Sequence, residues 1–248
     1  MPHKSLTACA CILATILLGG CQPKQETSET TSSTAQPASG GVEKVKPAPG
    51  TGNVQGKVLY NNKPVENIEV KLCETFSRFM GGCSGKTYTG RTDKDGDYVI
   101  TNVEPKVYEG LIAQVFDTGS YVFATSGIGI SSAKYDVTAD KTLFVSPTHL
   151  FKGDLKLLNP KAGASVAAQN LELRWEPYPD AAYYKFSIHP EDAAISSPYI
   201  NERVEDTKFR LEKPLEKGTY RWQVTAYNGE NQRLSESESD IKFIVTGG

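Results

Sequence analysis

The sequence predicts an all-β protein, two tandem antiparallel β-sandwiches behind a polar tether, and three observations predict it. Apolar residues recur with period two: Ile68, Val70 and Leu72 alternate with Glu69 and Lys71, Tyr184, Phe186 and Ile188 with Lys185 and Ser187, and Tyr220, Trp222, Val224 and Ala226 with Arg221, Gln223 and Thr225. Successive side chains of a strand point to opposite faces, so this alternation marks strands with one buried face. No helical stripe longer than a turn follows the N-terminal segment, and strand and turn signals recur at the spacing of sandwiches. About 196 residues follow the polar stretch that ends near Gly52, enough for one large domain or two small ones, and two are expected.

The chain opens with His3 and Lys4 ahead of an apolar run, Leu6 to Leu18. That run is too short for a spanning helix, which needs roughly 20 apolar residues, and it has the length of a secretory signal segment. Leu18-Gly19-Gly20-Cys21 resembles the lipobox of bacterial lipoproteins. The resemblance implies cleavage after residue 20, acylation of Cys21 and a membrane partner reached through the lipid. Each buried methylene would contribute about 0.8 kcal/mol, and stable anchoring takes more than one chain. Gln22 stands where Asp would retain such a protein in the inner membrane, so the resemblance implies the outer membrane, facing the periplasm or the cell surface. Residues 21–52 are rich in Thr, Ser, Pro, Glu, Lys and Gly, with Val42 and Val45 as the large apolar side chains. Such a segment buries too little to offset its ordering entropy, and as a flexible coil it would hold the folded part on the order of 30 Å from the lipid.

The first domain is expected over residues 53–157. Gly56-Lys57-Val58, Asn61-Asn62-Lys63-Pro64-Val65 and Ile68-Glu69-Val70-Lys71-Leu72, followed by Thr92-Asp93-Lys94-Asp95-Gly96-Asp97-Tyr98 and Asn102-Val103-Glu104-Pro105, resemble the carboxypeptidase regulatory-like family. That resemblance spans roughly residues 53–117 and implies a transthyretin-like sandwich serving as a non-catalytic accessory module. Asp93, Asp95 and Asp97 invite a calcium reading, but Gly96 falls at the fourth place of the run and no Glu closes an EF-type loop. A tight hairpin turn needs Asp and Gly there in any case.

Cys73 and Cys83 are the thiols left after processing, and an even pair in an exported chain should oxidise. Parity places Cys73 with Glu69 and Lys71, so the bridge is expected to clip the surface side of a hairpin. Inside its loop lie Phe76, Arg78, Phe79 and Met80, which either contact a partner or fold back as local packing. A stapled loop would present aromatics with a lowered ordering cost.

The second domain is expected over residues 158–248. Leu173-Arg174-Trp175, Ala181, Tyr184, the run Gly218 to Asn228 and Phe243-Ile244-Val245 resemble a fibronectin type III domain of the bacterial envelope kind. The resemblance implies a core Trp175 and a tyrosine corner at Tyr220. Trp175 and Trp222 can be read as a sugar-stacking pair, but their phase with Leu173 and Val224 favours core packing.

Function classes narrow by composition. Removing residues 1–20 takes away Lys4 and leaves 26 basic against 29 acidic residues, interspersed, so no basic field for nucleic acid is expected. His149 and His189 fall in different domains without metal-ligand spacing and read as solvated, Gly127-Ile128-Gly129 lacks a phosphate cradle's third glycine, and no serine sits in a nucleophile signature. Ser235 to Asp240 reads as a solvated edge or turn. The expectation is a non-enzymatic, lipid-anchored envelope protein without cofactor or metal, acting as an interaction or structural module. The alternative is a module that binds glycan or cell-wall polymer, for which Phe76, Phe79, Tyr178 and Tyr199 would supply the aromatic platform.

Overall fold

The computed structural model of the chain describes residues 41–77, 79, 82–116, 118–126, 131–196, 199–238 and 241–247. Cys21 and the expected signal segment lie outside the described residues. Within the described residues every regular element is a strand. In chain order the first sandwich comprises β1 (Gly52–Tyr60), β2 (Lys63–Pro64), β3 (Glu69–Ser77), β4 (Gly82–Arg91), β5 (Asp97–Val103), β6 (Val107–Tyr108), β7 (Gly110–Gln114), β8 (Tyr121–Phe123), β9 (Thr125–Ser126), β10 (Ser131–Ser132), β11 (Tyr135–Asp136), β12 (Thr142–Phe144) and β13 (Thr148–His149). One sheet is organised on β1, which pairs antiparallel with β5 and β2 and parallel with β12 and β13. The other runs β4-β3-β7-β8, antiparallel throughout. The inward residues Val54, Val58, Val70, Leu72, Tyr98, Ile100 and Leu111 meet between the sheets, as the alternation requires.

Tether and sandwich meet earlier than composition suggests. Asn53 and Gln55 are polar residues of β1, yet they are 1% and 8% exposed, because residues 42–45 lie over them. Gln55 Nε2 donates to Val42 O at 2.9 Å, Lys44 N donates to Gln55 Oε1 at 3.0 Å, and Asn53 Nδ2 donates to Val45 O at 2.8 Å. The polar composition of this strap conceals its docking, since side chains of β1 satisfy its backbone and no apolar run is needed. Composition predicts a disordered stretch through residue 52; residues 42–45 are instead docked chain.

The second sandwich comprises β14 (Leu157–Asn159), β15 (Ser165–Ala167), β16 (Glu172–Trp175), β17 (Tyr183–Pro190), β18 (Ile200–Val204), β19 (Lys208–Arg210), β20 (Gly218–Tyr227), β21 (Arg233–Glu236) and β22 (Lys242–Thr246). A three-stranded sheet, β14-β16-β19, faces the sheet β15-β22-β20-β17-β18, on which β21 also pairs with β20. This is an immunoglobulin-like, fibronectin type III-like arrangement. Trp175 and Trp222 are both buried, Trp175 packs against Tyr184 and Phe186, and Trp222 Nε1 donates to Pro160 O at 3.2 Å. They are core, and the sugar-stacking reading falls.

Tyr220 is a tyrosine corner, its hydroxyl donating to Glu216 O at 3.0 Å. The first sandwich repeats the device at a position no sequence motif marks: Tyr108 donates to Glu104 O at 3.0 Å and is fully buried. The final edge is less solvated than its acidic composition implies. Ser235 and Ser237 are buried, and Val224 exchanges two bonds with Ser237, donating to its Oγ and accepting from its N–H. Ser239 and Asp240 lie outside the described residues.

The border between the sandwiches also moves. Leu150 belongs to the first core and Leu155 to the second, so the connection is residues 151–154 rather than a boundary at 157.

Candidate functional site

Three tight turns meet at the junction of the sandwiches. Asn61 and Asn62 form the turn between β1 and β2 with φ of 48° and 61°, the left-handed region that Asn tolerates better than other side-chain-bearing residues. Their side chains reach across to the turns around Asp180 and Glu230. Asn61 Nδ2 donates to Asp180 Oδ2 at 2.8 Å, its Oδ1 accepts from Asn228 Nδ2 at 2.9 Å, and Asn62 Nδ2 donates to Glu230 Oε2 at 2.6 Å. Beside them the Tyr60 and Tyr178 hydroxyls lie 3.2 Å apart, and Tyr178 donates on to Asp154 Oδ1 at 2.9 Å. The connecting residues are pinned as well. Lys152 N donates to Leu234 O and Glu236 N donates to Lys152 O, so the connection runs as a short added strand beside β21.

The junction encloses a half-open cleft of about 650 Å³. The β7–β8 turn contributes Phe116, β8 contributes Tyr121, the connection contributes Phe151, Lys152 and Asp154, and β21 contributes Glu236. Phe116 holds φ of 50°, unusual for a bulky residue, while its ring packs edge-on against Tyr60 at 5.5 Å. Lys152 Nζ lies 5.2 Å from the Tyr60 ring and 5.4 Å from the Phe116 ring, and the Arg233 guanidinium lies 4.3 Å from the Phe151 ring. Burial pushes the Glu236 carboxyl above the usual carboxylate range, an effect Arg233 partly offsets from 3.3 Å. Ser235 is wholly buried and donates to Asp154 Oδ1 at 2.7 Å, so its hydroxyl braces the connection instead of facing a substrate.

The residues singled out in the sequence do not assemble with this cleft. Cys73 and Cys83 are bonded with Cα atoms 5.4 Å apart, and Cys73 is fully buried without joining the core cluster that holds Val70 and Leu72. A bulge lies beside the bridge. Cys73 pairs across from Thr87 and Thr75 from Ser84, so β4 carries one extra residue there, with Gly85 at φ of 75°, and the slip brings Cys83 within reach. Phe76 is half-buried against Phe123 at 4.8 Å, whereas Phe79 is 74% exposed; Arg78 and Met80 lie outside the described residues. Tyr178 is spent on the junction, and Tyr199, 58% exposed, stacks on His189 at 5.3 Å. The four expected platform aromatics are thus not one surface, and His189 is stacked rather than simply solvated.

Asp93 forms a turn. Its Oδ1 accepts from Asp95 N at 2.9 Å and Asp97 N at 3.0 Å, and its other oxygen takes Lys44 Nζ at 2.7 Å. Gly127-Ile128-Gly129 lies outside the described residues. Among the described residues no cluster of three His, Cys, Asp or Glu side chains is placed to hold a metal ion.

Phe116, Phe151, Lys152 and Glu236 escape sequence reading because they come from three separate segments. The available signal was weak: aromatic and charged residues crowded at Phe151-Lys152-Gly153-Asp154, a connection that composition alone makes look like linker.

No protein-family model and no curated protein matches the chain. Among solved structures it is similar to the fibronectin(III)-like modules of Clostridium thermocellum CbhA, at 15% identity and a TM-score of 0.27, over 37% of this chain and 93% of that one. It is similar to the fn3 domain of the human collagen alpha-1(XX) chain at 20% identity and a TM-score of 0.29, over 39% and 91%. The FN1–FN3 domains of chicken CNTN1 align over 80% of this chain and 69% of that one, at 12% identity and a TM-score of 0.29. By its strand order and core the chain is an all-β protein of two tandem sandwiches, the second fibronectin type III-like.

Proposed function

We propose that this is a non-enzymatic, lipid-anchored envelope protein, held at the outer membrane through Cys21, whose two sandwiches act together as one interaction module. In this reading the first sandwich is a carboxypeptidase regulatory-like accessory module. The observation that carries the interaction role is the pinned junction. A spacer needs only flexible connection, whereas Asn61, Asn62 and Tyr60 spend their side chains on holding the second sandwich against the first. Preorganisation of that kind lowers the ordering cost of binding.

Fractionation of the native host tests the anchor. The wild-type chain should partition with membranes and the Cys21→Ser variant should appear in the soluble fraction; equal retention of both would overturn the anchor. Crosslinking in the host, with mass spectrometry of the captured species, tests the interaction role. The glycan-binding alternative is favoured by one observation, the aromatic and carboxylate lining of the junction cleft.

A further inference from the structure

We propose that the junction cleft binds a neutral, hydroxyl-rich saccharide segment, a ligand class that deepens the interaction role and rests on it. The cleft volume of about 650 Å³ falls within the roughly 300–1,000 Å³ of small-molecule sites, room for a short run of sugar rings but not for a folded partner. The walls suit the same ligand. Phe116, Tyr121 and Phe151 line the cleft and are each only partly buried; Lys152, Lys71 and Arg233 lie over one side of these rings, so the apolar surface offered to the C–H groups of a pyranose is what those cations leave uncovered.

Charge decides between ligand classes. In the lining Lys152 stands against Asp154 and Glu236, and Glu236 is paired at 3.3 Å with Arg233 from outside the lining, so the charges close to balance and no strong field draws an anion or a cation. The cations are also engaged already: Lys152 of the lining lies over two rings, and Arg233 beside the cleft is shared between the Phe151 ring and Glu236. A ligand carboxylate would have to detach one of them. A hydroxyl needs only a lone pair toward Lys152 or a proton toward a carboxylate, and both are on offer. Glu236 Oε2 takes Arg233 and Asp154 Oδ1 takes Tyr178 and Ser235, which leaves the second oxygen of each carboxylate without a protein donor among the described residues. Carboxylate acceptors beside an ammonium recognise sugar hydroxyls through charge-assisted bonds, with the partly buried aromatic residues alongside.

The test uses the full chain carrying Cys21→Ser, probed on an array of neutral and anionic oligosaccharides, with titration calorimetry of the retained glycans and of the zwitterionic dipeptide Ala-Ala. Neutral oligosaccharides should be retained, and Glu236→Gln and Phe151→Ala should each weaken binding by about tenfold or more with the thermal midpoint unchanged. Should Phe151→Ala fail to fold, the isosteric Glu236→Gln carries the test. Retention of no neutral glycan, affinity indifferent to Glu236→Gln, or a preference for Ala-Ala or for anionic glycans would each overturn the proposal. None of those results touches the membrane partition of Cys21 or the capture of protein partners, so the wider reading fails separately.

Discussion

Replacing Asn61 tests whether the two sandwiches behave as one body. Asn61 contributes in two separable ways, a left-handed backbone at φ of 48° and two bonds across the junction, at 2.8 Å to Asp180 and 2.9 Å from Asn228. Gly keeps the backbone and loses the bonds; Ala loses both. A hydrogen bond contributes about 0.5–1.5 kcal/mol net, and Asp180 is exposed, so Asn61→Gly should cost about 1–2 kcal/mol. Placing Ala in the left-handed region adds about 1–2 kcal/mol, for a total of about 2–4 kcal/mol. Urea unfolding reads the stabilities, and residual dipolar couplings read the orientation of one sandwich against the other. Wild type should fit a single alignment tensor, and Asn61→Gly should give two. A Gly variant with unchanged stability and one shared tensor would show that the clamp is incidental to the junction.

Other consequences are as direct. The Lys44 ammonium holds Asp93 below the usual carboxylate range; partial burial pushes Asp97 up, and pairing with Lys44 and Lys57 more than reverses it. Both folded carboxyls therefore sit below their unfolded values, so the strap's contribution should be complete above about pH 4 and fall away as pH drops through the folded values. Denaturation midpoints measured downward from pH 7 should fall less for Lys44→Met than for wild type; parallel curves would refute the link. Reduction of the Cys73–Cys83 bridge, which closes 10 positions of chain, should cost about 2.7 kcal/mol in urea unfolding, and an unchanged midpoint would refute it. Tyr220→Phe and Tyr108→Phe each delete a bond to the carbonyl four residues back, and each should cost about 1 kcal/mol by the same measurement.

Period two alone made the strands of both sandwiches legible, and with them the core positions of Val70, Leu72, Trp175 and Trp222, because inward and outward faces alternate residue by residue. The Asp93 turn was legible from composition for a similar reason, since Asp and Gly satisfy a tight turn locally. The extra residue of β4 beside the Cys73–Cys83 bridge was not legible, because a bulge in β4 has no signature in the alternation of β3. Residues 42–45 read as tether because their partners, Asn53 and Gln55, are polar side chains on a strand recognised by its apolar residues.

Features that depend on neighbours along the chain could thus be read from it directly: strands, turns, the number of sandwiches and the cysteines available to pair. The junction and its cleft exist only in the assembled molecule. Asn61 meets Asp180 and Asn228 across more than a hundred residues, and Phe116, Phe151 and Glu236 arrive from three segments that share no periodicity. Contacts between turns depend on how two finished sandwiches are held, and that geometry has no repeat along the chain from which it could be read.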